Sequence, residues 1–259
     1  MDQQEFAELD FHAMRYAFES QNELGRLCDE VIYQNDFAAR LEAADLGPVR
    51  KEVPVTIQYQ DFAKTYSLHL LLGDAAVYEL KAEARLAANH DAQLLNYLLL
   101  LDARHGKLVN FRPPKVESRF VNTHLTTKAR HQLDVNTKRW REIDHGSVLL
   151  RTIFLGLLED WGGFLELALY SEALVHFLGG EEKVRQMVAL TRGGVALGNQ
   201  RFQLAEPGTA FRLTALTEET EGYECQLRSL LNHSPLGAIQ WINMARHKIE
   251  FVTLLKQDS

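Results

Sequence analysis

Apolar residues recur at mixed spacings of three and four along the first forty positions: Phe11, Met14 and Phe18, then Leu24, Leu27 and Val31, then Phe37 and Leu41. That period predicts helix over residues 8–42. The stretch 20–25 punctuates it, so two helical segments with a turn near Gly25 are expected, and Gly47-Pro48 stops the second. Three β-rich runs follow at residues 53–59, 64–72 and 76–81, the last two separated by Gly73-Asp74. Residues 87–102 return to a helical period, and residues 106–111 read as a short buried strand closed by Pro113-Pro114. The order is helix, three strands, helix, strand.

Over residues 122–145 the pattern weakens and basic side chains gather: Lys128, Arg130, Lys138, Arg139 and Arg141, beside Trp140. This stretch reads as a connector. The order then repeats: a helix over 147–178 ending at Gly179-Gly180, strands at 184–190, 195–204 and 209–215, a helix at 219–232, and strands at 238–243 and 248–254. One offset, the 133 residues from Gln93 to Gln226, also carries Leu108-Val109-Asn110 onto Trp241-Ile242-Asn243 and Tyr78 to Ala82 onto Phe211 to Ala215. Glu30 and Tyr33 meet Glu166 and Tyr170 only with a one-residue slip. Agreement of three elements in one register predicts an internal duplication. The expected fold class is mixed α/β (α+β), a tandem duplication of an αβββαβ unit with a central mixed sheet flanked by helices.

Composition narrows this little. The chain has 259 residues, 46% hydrophobic and 24% charged, enough for one large domain or two small ones. Its longest apolar runs, at 98–101 and 148–158, fall short of a membrane span, and the acidic start Met1-Asp2-Gln3-Gln4-Glu5 does not resemble a signal peptide. A cytoplasmic protein without membrane contact is expected, with Cys28 and Cys225 as reduced thiols packed inside it. A net charge of −7 argues against nonspecific coating of nucleic acid, but allows a local basic strip beside an acidic site.

The candidate chemistry lies in the first half. In Glu79-Leu80-Lys81 the strand period puts Glu79 and Lys81 on one face. The carboxylate there can hold Mg²⁺ or Mn²⁺, and the lysine can position a water or offset charge on an attacked phosphate. Alone, the pair is a weak signal and fits a solvated strand edge better. Its neighbours add to it: Gln93 and Tyr97 fall on one helical face four apart, and Glu30 and Tyr33 three apart on another.

A helix carboxylate, a strand Glu-x-Lys and a helix Gln-x-x-x-Tyr, in that order, resemble the PD-(D/E)XK nuclease superfamily in its RecB-like branch. From Phe11 to Val121 the chain is more narrowly similar to the GxxExxY proteins. The likeness rests on Leu24-Gly25 leading into Glu30-Val31-Ile32-Tyr33, on Val53-Pro54-Val55, on Glu79-Leu80-Lys81-Ala82, on residues 92–98 and on residues 106–111. It implies a metal-dependent nuclease with Glu30, His69 and Glu79 as metal ligands and with Glu79, Lys81, Gln93 and Tyr97 as catalytic residues. Two positions depart from the pattern. Leu27 replaces the leading glycine. His69 stands where the family has a metal-bridging aspartate, which removes a negative charge: either the site prefers Mn²⁺ or a similar ion to Mg²⁺, or it has lost strong catalysis. His90, close to Gln93, fits an exposed helix-start residue better than a site residue.

The resulting organisation is a PD-(D/E)XK-like domain at 1–121, a basic connector at 122–145 and a degenerate copy at 146–259. In the second copy Glu79, Lys81, His69 and Tyr97 become Arg212, Thr214, Phe202 and Leu230, while apolar positions such as Trp161, Phe211 and Trp241 remain. That copy is expected to pack on the first as a pseudo-dimer. Three functions stay open: a nuclease for DNA or RNA, a module that binds nucleic acid or protein without cutting, and a structural subunit. Arginines beside Trp140 leave the basic stretch open as a nucleic-acid contact or a charged linker.

Overall fold

The computed structural model describes residues 1–256. The chain divides into two compact units, one of residues 1–58 with 63–127 and one of residues 59–62 with 128 onward. Each is a mixed sheet flanked by helices.

The first unit begins with α1 (Gln3–Leu24). Asp2 caps it, accepting from the Gln4 and Glu5 amides at 2.8 and 2.9 Å, while Glu5 returns a bond to the Asp2 amide. The helix ends at Gly25, whose φ of +75° glycine alone adopts without strain. Next come α2 (Glu30–Ala43), β1 (Val49–Tyr59), β2 (Phe62–Leu72), β3 (Ala76–Lys81), α3 (Ala88–Leu100), β4 (His105–Asn110) and β5 (Glu117–Asn122). The sheet order is β1-β2-β3-β4-β5; β3 and β4 run parallel through the α3 crossover, and the pairs β2/β3 and β4/β5 are antiparallel.

Alternation along the strands feeds two cores. Phe6, Tyr33, Phe37, Tyr78, Leu80 and Phe111 pack between the sheet and α1 with α2. Leu68, Val77, Leu94, Tyr97, Leu98 and Leu108 pack under α3. A buried ion pair, Lys107 to Asp10 at 2.6 Å, ties β4 to α1.

Two hydrogen-bonded clamps hold the polar joints of this unit. Tyr33 stacks on Phe111 with centroids 4.6 Å apart, and its hydroxyl donates to the Gly25 carbonyl at 2.7 Å, fixing the α1–α2 turn. Asn110, at the end of β4, accepts from the Glu83 amide at 3.0 Å and donates to the Glu83 carbonyl at 2.9 Å, fixing the chain just past β3.

The second unit opens with α4 (Thr127–Arg130) and β6 (Asp134–Arg139), followed by α5 (His145–Trp161), α6 (Leu167–Phe177), the short α7 (Glu181–Val184), β7 (Arg185–Arg192), β8 (Val195–Glu206), β9 (Thr209–Thr214), α8 (Thr220–Asn232), β10 (Ala238–Ala245) and β11 (Lys248–Leu255). Its sheet order is β6-β11-β10-β9-β8-β7, with β9/β10 and β6/β11 parallel. The stretch 122–145 is therefore more than a connector, because β6 completes this sheet. The helix expected over 147–178 is two helices. Gly162, at φ +73°, breaks it where a Cβ would meet the Arg130 carbonyl oxygen at 2.9 Å.

Strand pairing in the two units agrees at three ladders. Leu70 pairs with Tyr78 as Gln203 does with Phe211; Glu79 with Leu108 as Arg212 with Trp241; Leu108 with Arg119 as Trp241 with Val252. Every correspondence is a shift of 133. At the helical turn the shift is 137, because Tyr170 donates to the Gly162 carbonyl at 2.7 Å as Tyr33 does to that of Gly25. Tyrosine-to-tyrosine alignment makes Leu167, not Glu166, the counterpart of Glu30.

Cys225 differs from expectation. It is exposed, because it lies about 200° around α8 from the buried Leu227; Cys28 is half-buried. Among the described residues no helix is long and apolar enough to cross a membrane.

Candidate active site

Glu79 and Lys81 lie on β3, every residue of which is buried. They share the face of Val77, which packs into the core under α3. Lys81 Nζ donates to Glu79 Oε1 at 2.8 Å. Glu79 Oε2 is also buried and has no hydrogen-bond partner. Burial pushes the Glu79 carboxyl up, against the pull of His69 and Lys81 toward the ionised form. A buried carboxylate oxygen left unpaired costs on the order of 1–3 kcal/mol or more, and a cation or a proton removes that cost.

His69 sits in a gap of the sheet. The β2/β3 ladder pairs Leu70–Leu72 with Ala76–Tyr78. Beyond Leu70 the imidazole stands beside β3, its Nδ1 3.2 Å from the Leu80 amide and 3.1 Å from the Leu80 carbonyl. Nε2 lies 3.4 Å from Glu30 Oε1, and Nδ1 lies 3.5 Å from Glu79 Oε1. The ring thus links Glu30, on the helix of one face, to Glu79, on the other.

The Leu80 peptide serves either neutral tautomer. When its amide donates to Nδ1, the ring proton is on Nε2 and faces Glu30. When Nδ1 carries the proton, the carbonyl accepts it and Nε2 is free to act as a ligand.

Two residues absent from the sequence-based set join this cluster. Gln34, one turn after Glu30, donates to Glu52 Oε1 at 2.6 Å and to the His69 carbonyl at 2.7 Å. Glu52 also accepts from the Ser67 hydroxyl, a bond that leads the effects holding its carboxyl below the ordinary range. The spacing of Gln34 from Glu30 was a usable signal. Glu52 gave none, since it reaches the cluster through a φ of +48° inside β1, a conformation non-glycine residues seldom take.

Of the residues expected at the site, Glu30, His69, Glu79 and Lys81 come together. Gln93 and Tyr97 pair with each other at 3.0 Å on α3, the helix covering the Glu79 face. His90 caps that helix, accepting from the Ala87 amide at 3.2 Å. Tyr33 is wholly buried and serves the turn. Among the described residues no group of three His, Cys, Asp or Glu side chains already stands in metal-binding array. The fit to a divalent cation rests instead on Glu79 Oε2, on Glu30, and on the free Nε2 of one His69 tautomer.

In the second unit these positions are closed. Phe202 replaces His69 and is buried, and Arg212, in place of Glu79, points outward and reaches the Tyr223 hydroxyl at 3.2 Å. Thr214, in place of Lys81, accepts from Trp241 Nε1 at 2.8 Å and donates to Asn243 at 2.7 Å.

A search of solved structures gives one described as the crystal structure of SSO0001, 21% identical, with a TM-score of 0.27. The match covers 37% of this chain and 52% of that one, so the chain spans about half the length of the structure it matches. No curated protein matches. The model of the PD-(D/E)XK nuclease superfamily matches residues 7–121, the stretch that contains Glu30, His69, Glu79 and Lys81.

Proposed function

We propose that the first unit is a divalent-cation-dependent nuclease hydrolysing phosphodiester bonds in DNA or RNA. The observation that carries this is the fully buried Glu79, with Oε1 on Lys81 and Oε2 without a partner. Glu30, His69 through Nε2, and Glu79 would hold the cation, and the imidazole favours Mn²⁺ over Mg²⁺. The bound ion would polarise a phosphoryl oxygen and make a water more acidic. Lys81 would orient an attacking water and offset the negative charge growing on the phosphoryl oxygens as the water oxygen bonds to phosphorus and the ester P–O bond breaks, the proton given up by the water ending on the leaving oxygen. Gln93 would orient the substrate backbone along α3, with the buried Tyr97 hydroxyl accepting from its side-chain amide at 3.0 Å. Gln34 holds the His69 carbonyl, and so the ring position.

The second reading is a module that binds without cutting. It is favoured by the absence, among the described residues, of a ready three-ligand group. Both readings share one proposal about origin: the two units are copies of one ancestral unit of the GxxExxY type, in the RecB-like branch, and the second is catalytically silent. The common shift of 133 across three strand pairs supports it.

The test is cleavage of labelled single- and double-stranded DNA and RNA with Mg²⁺ and with Mn²⁺, comparing wild type with Glu79→Ala and Lys81→Ala. Cleavage by wild type alone is the expected result. No cleavage by a folded wild type favours the binding module, and His69→Asp then shows whether that one position silences the site.

A further inference from the structure

The basic residues near Trp140 have no part in the nuclease site, and the structure gathers them. Lys138 and Arg139 on β6, Arg141 just after it, Arg228 on α8 and Lys256 after β11 line a concave surface of the second unit with a volume of about 420 Å³. One carboxylate answers them. Arg139 Nη2 donates to both Glu224 oxygens, at 2.7 and 2.8 Å, and Arg228 Nη2 donates to Oε1 at 2.9 Å. Burial alone would raise that carboxyl, but the two arginines overcome it and hold it below its ordinary range. Lys138 and Arg141 have no carboxylate partner among the described residues. The cleft is therefore strongly positive on a chain whose formal charge is −7.

The backbone that carries Arg141 is fixed, and so is the Lys256 side chain. The Arg141 amide donates to Thr253 Oγ1 at 2.7 Å, and its carbonyl accepts from Gln240 at 3.0 Å. Lys256 Nζ donates to the Ser234 carbonyl at 2.5 Å. Trp140 does not offer a stacking surface here, because its ring packs edge-on against Phe251 with centroids 5.2 Å apart.

We infer that this cleft binds the sugar–phosphate backbone of a nucleic acid. Cations from separate elements on a fixed frame suit a ligand with several anionic groups in series. A cleft without a free aromatic contacts phosphates rather than bases, so binding is independent of sequence and falls steeply with salt. The choice of nucleic acid over another polyanion rests on the nuclease reading of the first unit. The cleft would let a catalytically silent unit hold substrate.

The experiment is fluorescence anisotropy of labelled 20-mer DNA and RNA, single- and double-stranded, with co-flotation on phosphatidylserine vesicles as a second arm, using the full chain in EDTA over a salt series. Wild type is compared with Lys138→Glu/Arg141→Glu and with Arg192→Glu, a charge reversal on the exposed end of β7. Circular dichroism checks each fold. The cleft variant should bind at least about tenfold more weakly at low salt, with a log–log salt slope shallower by roughly 2, while Arg192→Glu binds as wild type does. An unchanged affinity and slope in the cleft variant overturn the inference. So does a wild type that binds neither DNA nor RNA, or one that binds only the phosphatidylserine vesicles. Binding lost in the cleft variant of a protein that never cleaves overturns the nuclease reading and leaves this one standing. Cleavage with unchanged binding does the reverse.

Discussion

The two units share their joints and differ at their sites. In the first, Asn110 holds the Glu83 amide and carbonyl; in the second, Asn243 holds those of Leu216 at 2.8 and 2.9 Å, again 133 residues on. Tyr33 and Tyr170 clasp their turns through bonds of equal length. The difference lies at one patch of β3 and β9. Thr214, Trp241 and Asn243 satisfy one another, whereas Glu79 keeps an open oxygen. Thr214, Trp241 and Asn243 thus support the fold, while the proposed chemistry rests on the oxygen that Glu79 holds open.

The sharpest challenge to that contrast is activity. Glu79→Gln is expected to lower cleavage by about 10²-fold or more, measured as single-turnover rate, whereas Arg212→Ala at the matching place leaves the rate within about twofold. An equal loss from both would erase the distinction. The shared joints should answer in the opposite way. Asn110→Ala and Asn243→Ala each strand a part-buried amide and carbonyl, and each should cost about 1 kcal/mol in urea denaturation.

Titration separates the units more finely. The Glu79 carboxyl is raised in the folded protein, so between its ordinary value and its folded value the native state carries more proton than the unfolded one. Stability of the metal-free protein therefore falls as pH rises through that window, with a slope of at most about 1.4 kcal/mol per pH unit. Glu79→Gln should remove that slope in denaturation curves recorded across pH. Tyr33→Phe and Tyr170→Phe should each cost about 1 kcal/mol as well, and Tyr33→Phe should leave the cleavage rate nearly unchanged.

Much of this was legible in the sequence. Strand alternation placed Glu79 and Lys81 together, and the helical period placed Gln93 with Tyr97. The offset from Gln93 to Gln226 anticipated the common strand register. What escaped had physical reasons. β5 and β6 are short and largely exposed, so they lack the alternation that burial imposes. Glu52 depends on a left-handed backbone inside a strand, which no side-chain pattern announces. The break in the long helix was announced by Gly162-Gly163 and was read through, because the apolar period on either side stays in phase.

β6 also has a bearing on how the chain can be divided. Its partner β11 pairs along Lys248 to Val252 in parallel, with β10 on its other side. A polypeptide begun at residue 146 would leave that flank of β11 as a bare row of amides and carbonyls, an invitation to accrete further strands. One begun at residue 128 carries its own cover, so the stretch between the units acts for the second as a hem that keeps the sheet from fraying into its neighbours.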